Sequence, residues 1–428
     1  MKKVIFYESA VTNSEIDLSS SFIQYSNPDF QRIFQRYDFA DEWNNLGYGR
    51  ISCDGSAFAI TKNPNGNEAD SEVLATFHLS NGDSGTYCGI QNSNNQSTLF
   101  FNRSIGPVDG IDYSLIENFL ANYQWEKFGS VPVILDIPYS FNSAVTMRVD
   151  CDEAIASGKE LADLYKRHGI PFSMAITTSN PFTPEAKTVI NDVLAAGGSI
   201  VTHSETHAPN WGGSREKASW EVTTARAKLK EVLPSGYNFD FVVSPFHQNP
   251  QYAVEGLRDA GIKGFVGGII KNDPEYLVSR ASWAKDVPGI MTHSQQCMLH
   301  GDCYHATGLS VYKESFDNHY KTNTFFGYLD HPFSNYKYGW HSEEERLKVH
   351  DEFLTFLKSY KDVWFANLID AMSFLWVKVN TKVWVENDQL RWEVPDHNYK
   401  NLPDLCVLLK GEKHRIPIIN NSSTRHCL

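Results

Sequence analysis

Gly198-Ser-Ile-Val-Thr-His-Ser-Glu-Thr-His-Ala-Pro-Asn-Trp211 is the stretch from which the rest of the chain can be read. A Gly pair, Gly197-Gly198, precedes Ser199 to Thr202, which read as a short buried strand, and a Pro-Asn-Trp-Gly-Gly loop follows. His203 and His207 stand at the strand's end, separated by Ser, Glu and Thr. Two neutral imidazoles one helical turn apart can face a single cation, which i,i+1 or i,i+2 spacing rarely allows. Such a pair on a surface helix is commonly incidental, so its meaning depends on what else reaches the same end of the strand.

On both sides of this stretch the pattern is strand, helix, strand. Strands are expected over 144–149, 170–176, 239–243 and 264–266. Helices are expected over 158–168, where Leu161, Leu164 and Tyr165 share a face, up to Ala196, and over 215–232 and 252–260. Repeated βα units at this spacing give a parallel sheet or an α/β barrel, with functional residues at the C-terminal strand ends. Asp150, His203, Pro245 and His331 all fall just after expected strands.

Residues 1–130 lack this rhythm. Short strands over 74–79, 85–90 and 97–101 lie between Asn/Gly/Ser turns, 91–96 reads as a polar hairpin loop, and 113–123 is a helical patch. This region is expected to be a β-rich or mixed accessory domain, with a central domain over 131–377. Glu343-Glu-Glu345 suits the first turn of a helix running to about residue 360. Segments 382–386 and 389–394 alternate with period two around Asn387-Asp388, the pattern of a hairpin in a small β appendage over 378–428.

A length of 428 residues suggests two or three domains, and 41% hydrophobic with 13% aromatic residues can bury a sizeable core. The aromatics suit carbohydrate stacking and plain core packing equally. A formal net charge of −13 argues against nucleic acid or anionic membrane surfaces as partners. No stretch approaches the apolar length of a membrane span, and the N-terminus lacks a signal-peptide pattern. Seven scattered cysteines make a poor disulfide framework and favour a reducing compartment, so a cytoplasmic location is expected. The sequence does not give the oligomeric state.

Met147-Arg-Val-Asp-Cys-Asp-Glu153 places Asp150 and Asp152 at the mouth of the first strand of the βα region. A hydrolytic zinc site commonly uses three protein ligands and leaves a position for water. His203, His207 and one Asp supply that count, and the other Asp is left as a general base. The structural alternative is that Asp152 and Glu153 cap the next helix. In Phe241-Val-Val-Ser-Pro-Phe-His-Gln-Asn249 a turn could aim backbone N–H groups at a developing oxyanion. His331, on a tight turn in Tyr328-Leu-Asp-His-Pro-Phe333, could protonate a leaving amine.

Together these fragments resemble the polysaccharide deacetylase family, the NodB-homology or carbohydrate esterase 4 group, over about residues 140–375. His203-Ser204-x-x-His207 matches the family's His-Ser/Thr-x-x-His zinc motif, and Asp150-Cys151-Asp152 looks like its first motif in an Asp-x-Asp form. Pro245-Phe246 matches part of the third motif, and Leu329-Asp330-His331 matches the Leu-x-His motif. The resemblance implies an α/β fold of the NodB-type distorted (β/α) barrel kind. It also implies one divalent metal held by Asp152, His203 and His207, with Zn²⁺ the first choice and Fe, Co or Ni suited to the same ligands. Asp150 becomes the base, the Phe246 N–H an oxyanion donor and His331 the acid, with Pro245, Trp211 and His247 expected on the substrate side.

There are departures. The third motif normally begins with Arg where this chain has Val243; Arg148, two residues before Asp150, is the residue expected to replace that charge. The fourth motif has only Trp283 and Asp286 as weak matches. Cys297, His300, Cys303 and His305 offer ligands for a second, structural zinc, although their spacing is not that of a recognised finger and a substrate-side loop is the blander reading. The expected activity is removal of the N-acetyl group from an amino sugar in a polysaccharide, glycan or precursor. Deformylation or other amide hydrolysis at the same site, and glycan binding by an inactive domain, remain open.

Overall fold

The computed structural model describes residues 1–6, 22–27, 31–33, 71–78, 82, 84–102, 110–267, 280–284, 287–293, 297–334 and 336–418. Leu79 and Asp286 lie outside them, as do the side chains of Cys53, Cys297 and Cys427.

Strands β1 (Lys2–Phe6), β2 (Phe22–Tyr25), β3 (Gln31–Ile33), β4 (Ser71–His78), β5 (Ser84–Asn92) and β6 (Ser97–Phe101) form one sheet in the order β1-β6-β5-β4-β2-β3. The expected Asn-rich loop closes the β5–β6 hairpin, with Ser93 N donating to Gln96 O. Helix α1 (Gly110–Ala121) covers a face of this sheet, packing Ile111 and Phe119 on Ile23, Leu99 and Phe101. Asp112 is buried in that interface and accepts from the hydroxyls of Tyr25 (2.7 Å) and Tyr87 (2.8 Å), so its charge does not go unpartnered. The short α2 (Trp125–Phe128) then leads to β7 (Val133–Pro138).

The βα rhythm follows as read: β8 (Ser143–Cys151), α3 (Lys159–His168), β9 (Ser173–Ile176), α4 (Pro184–Ala195), β10 (Ser199–Thr202), α5 (Arg215–Leu229), β11 (Phe241–Val243), α6 (Gln251–Asp259) and β12 (Gly264–Val266). After these come β13 (Ser282–Trp283), β14 (Met291–His293), β15 (Cys297–Met298), α7 (Gly301–Thr307), α8 (Ser310–Thr322), β16 (Phe325–Asp330), α9 (Glu343–Lys358), β17 (Val363–Ala366) and α10 (Leu368–Asn380). The sheet runs β13-β14-β12-β11-β10-β9-β8-β16-β15, all pairs parallel except β13–β14. The first half of β8 pairs with β17 and the second half with β9. Among the described residues the sheet does not close into the expected barrel, because its end strands β13 and β15 are two-residue segments with no pairing to join them.

All nine residues of β8 are buried, as expected for a parallel strand with helices on both faces. Val145, Met147, Val149 and Cys151 enter the core shared with Leu161, Leu164 and Tyr165 of α3 and with Phe353 of α9. Strand periodicity sends Thr146, Arg148 and Asp150 to the opposite face. A one-residue slip would put Arg148 and Asp150 into that apolar core, so the register that fixes the site is also the one that packs. The Gly pair before β10 has a steric cause. A Cβ on Gly198 would lie 2.1 Å from Phe172 O, and Gly197 turns the chain at φ +82°.

Beyond α10, β18 (Lys382–Glu386) and β19 (Gln389–Glu393) form the expected hairpin, with Asn387 and Asp388 at φ 52° and 60° as a type I′ turn requires. Strands β20 (Leu405–Leu409) and β21 (Glu412–Ile416) add to β7, and Leu405, Val407 and Ile416 share a core with Phe374 and Leu375 of α10. No helix among the described residues is long and apolar enough to cross a membrane.

Candidate metal centre and active site

The ends of β8, β10, β11 and β16 bring the expected residues together at one edge of the sheet. Asp152 Oδ1 lies 3.2 Å from His203 Nε2 and 3.3 Å from His207 Nε2, and the two imidazole nitrogens are 3.1 Å apart. A tetrahedral zinc with bonds of about 2.1 Å sets its ligands about 3.4 Å apart, so this triangle needs little adjustment to hold one. Asp152 Oδ1 is buried and takes no hydrogen bond, which leaves lone pairs that a cation would satisfy. His203 Nδ1 donates to Val243 O (3.0 Å), the partner that frees Nε2 as a ligand.

The electrostatics favour one positive charge at this point. Burial opposes ionisation of Asp152, but His203 and His331 outweigh it and hold the carboxyl well below its usual range. Burial likewise opposes charge on His203, yet Asp150 and Asp152 raise its pKa. His207 moves the other way, lowered to about 4 by burial and by His203 beside it, so at neutral pH it offers a lone pair.

His203 and His207 do not lie on a helix, contrary to the one-turn spacing read from the sequence. The chain after β10 is a loop in which Ser204, His207, Asn210 and Trp211 all have positive φ, and Phe246 and His247 repeat this after β11. Such backbone costs about 1–3 kcal/mol per residue and persists only where its surroundings enforce it. Here Glu221 of α5, itself buried, accepts the N–H groups of Glu205 (2.9 Å) and Thr206 (2.8 Å) and the Thr206 hydroxyl (2.5 Å). Asn210 is clasped from the neighbouring loop, its N–H by Gln248 Oε1 (2.8 Å) and its carbonyl by the Tyr252 hydroxyl (3.1 Å). Glu221→Ala removes both acceptor oxygens and leaves the Glu205 and Thr206 N–H groups without that partner. Zinc affinity should fall about 10–100-fold in competition with a chromophoric chelator, the usual cost of disturbing a ligand's support; unchanged affinity would show that the loop holds its shape without Glu221.

Arg148 grips Asp150 through both oxygens, Nε to Oδ1 at 2.6 Å and Nη2 to Oδ2 at 3.0 Å, with both side chains buried. Burial resists the Asp150 charge, but Arg148 and His203 overcome it and hold the pKa at about 2. Position 243, where the resembled motif has Arg, contributes only its backbone carbonyl, to His203.

His331 Nε2 is 3.5 Å from Asp152 Oδ2, and its ring stacks on Tyr338 with centroids 4.1 Å apart. Its Nδ1 meets His300 Nε2 at 2.7 Å, a pairing the sequence reading missed. Below it, Asp330 contacts His350 Nε2 (3.1 Å) and Arg346 (3.6 Å), and His350 Nδ1 reaches the Tyr165 hydroxyl (3.0 Å). Arg346 also donates to His331 O at 2.6 Å, fixing the turn. Burial opposes charge on Asp330, but His350 and Arg346 outweigh it and depress the pKa. The ionised carboxylate therefore stabilises the fold above roughly pH 4, where an unfolded Asp is ionised, and this contribution is lost as pH falls toward the lower folded value. Asp330→Asn should flatten the acid limb of a stability–pH curve from urea unfolding; an acid limb as steep as in the parent would contradict this.

The remaining expected residues separate. Phe246 packs its ring on His207 with centroids 4.4 Å apart, beside a buried Pro245. His247 is buried and lowered to about 3 by burial and by Arg148. Trp211 is a correction: it has no exposed surface and packs with Ala218, Val222 and Val254, so it anchors the loop that carries His207 and is not available to substrate. Trp283 stands on edge strand β13. The four-residue zinc set read from 297–305 does not assemble around His300 and His305, because His300 pairs with His331 while His305 Nε2 pairs with Glu345 Oε1 at 2.8 Å.

No protein-family model matches the chain, and no curated protein sequence does. Among solved structures, a family 4 acetyl xylan esterase from Clostridium thermocellum in complex with a cobalt ion is 13% identical, covering 54% of this chain and 90% of its own, with a TM-score of 0.36. The carbohydrate deacetylase Agd3 is 11% identical over 93% of this chain and 76% of its own, TM-score 0.40. The allantoinase Puue is 14% identical over 57% and 94%, TM-score 0.41. Several other matching structures are polysaccharide deacetylases or family 4 carbohydrate esterases, also at low identity and partial coverage. At these scores the likeness carries no weight beside the site geometry.

Proposed function

We propose that this protein is a metal-dependent deacetylase that hydrolyses the N-acetyl group of an amino sugar in a polysaccharide, a glycan or a glycan precursor. Asp152, His203 and His207 would hold the ion, zinc first, with iron, cobalt or nickel suited to the same donors. When bound, such an ion supplies Lewis acidity toward an acyl oxygen and a water. Asp150 stays ionised beside Arg148 and takes the proton of the attacking water, although the same guanidinium weakens it as a base. The Pro245–Phe246 turn presents backbone N–H toward the developing oxyanion. His331 gives its Nε2 proton to the departing amine, with its ring held by Tyr338 and its Nδ1 by His300.

The observation that favours hydrolysis over simple glycan binding is the pair flanking the triangle. Asp150 Oδ2 lies 4.0 Å from His203 Nε2, and His331 Nε2 lies 3.5 Å from Asp152 Oδ2. A binding module has no use for a base and an acid on either side of its ion. Acetate should be released, with the free amine appearing in equal amount, when the zinc-loaded protein meets N-acetylhexosamine oligomers or UDP-linked N-acetylhexosamines. Cleavage of N-formyl analogues alone would redirect the assignment to a deformylase.

A further inference from the structure

Away from the site just described, His305 of α7 and His341 and Glu345 at the start of α9 converge on the surface. His305 Nε2 and His341 Nδ1 approach the same oxygen, Glu345 Oε1, at 2.8 and 3.2 Å, and the two rings lie parallel with centroids 4.1 Å apart. One ligand atom from each residue falls within 4.8 Å of the others. Glu345 Oε2 accepts the His341 backbone N–H at 2.8 Å, which fixes the carboxylate plane. We propose that His305, His341 and Glu345 form a second divalent-metal site, taking zinc or a similar borderline ion such as cobalt or nickel, independent of the catalytic assignment.

Two imidazoles and one carboxylate are a common zinc donor set, with water completing the shell. The side chains remain open to solvent, with His341 76% exposed, so an ion reaches them without crossing the core. The ligands come from two segments already pressed together, since a Cβ on Gly301 would run into the backbone of Gly339 and Trp340, and one on Gly339 into Asp302. Those segments also carry the surroundings of the proton donor: α7 begins immediately after His300, and Tyr338 lies three residues before His341. An ion here therefore ties α7 to the turn on which the His331 ring is stacked.

Isothermal titration of Zn²⁺ into untagged, metal-free full-length protein tests this. Wild type should take up two equivalents, and His341→Ala, a change at an exposed side chain, should take up one. Removing an outer-shell partner already costs a metal site about 10–100-fold in affinity, so losing a ligand should weaken the second step by at least about tenfold. His305→Ala should behave alike, and His203→Ala should keep the surface step alone. One equivalent in wild type, lost in His203→Ala and kept in His341→Ala, would overturn the second site and leave the catalytic centre standing. Two equivalents in both wild type and His341→Ala would also overturn it.

Discussion

Asp150→Asn is expected to lower kcat for deacetylation by about 10²–10⁴-fold, the usual contribution of a positioned general base, while bound zinc stays at the wild-type level. Asp150 is not one of the three proposed ligands, and its Oδ2 lies 4.0 Å from His203 Nε2. The amide cannot take a proton from water at neutral pH. The substitution also strips Arg148 of a bidentate carboxylate in a buried setting, and breaking such a pair costs about 3–5 kcal/mol. Kinetics therefore belong well below the variant's melting temperature, with zinc content measured on the same sample. Full activity with zinc in place would show that Asp150 is not the base. Zinc lost together with activity would move Asp150 into the ligand set.

His203→Ala should reduce catalytic-site zinc to background and cut turnover by roughly two to three orders of magnitude or more. Lewis acidity contributes several kcal/mol to such reactions, and about 1.4 kcal/mol is a factor of ten. Two donors would remain, Asp152 and His207, and the bond from His203 Nδ1 to Val243 O would go with the ring. His207→Ala should do the same to metal content by a different structural route, since its ring packs on Phe246 and leaves the Val243 contact intact. If either variant kept stoichiometric catalytic metal and wild-type turnover, the triangle of donors would be incidental.

The parts of this architecture set by local periodicity were legible in the sequence. The boundaries of β10 and β12 agree with the reading to the residue, and Leu161, Leu164 and Tyr165 bury the face that their spacing predicts. His203, His207 and the two aspartates were singled out as residue types suited to metal hydrolysis at strand ends, and the structure brings them within 4.0 Å of one another through His203. What the sequence hid depends on tertiary approach. His300 sat in a Cys/His cluster that suggested a different metal set, and only the pairing of β15 with β16 brings it onto His331. Trp211 was expected on the substrate side, but the positive-φ turn on which it sits drives the indole into the core. Glu221 did leave a trace: in α5 it shares the buried stripe of Ala218, Val222, Ala225 and Leu229, and an acid on an apolar stripe needs a partner. The open sheet was not readable either, because the pattern of βα repeats is the same whether or not the end strands meet.

The measurement that tests the central claim most directly is a zinc titration of metal-free protein, with acetate release from an N-acetylhexosamine oligomer followed at each addition. No release before metal, and a rate that climbs with zinc to a plateau in wild type but stays flat in His203→Ala, is the predicted result. Release at the full rate before any metal is added, or no zinc bound at the His203 site at any concentration, would contradict it.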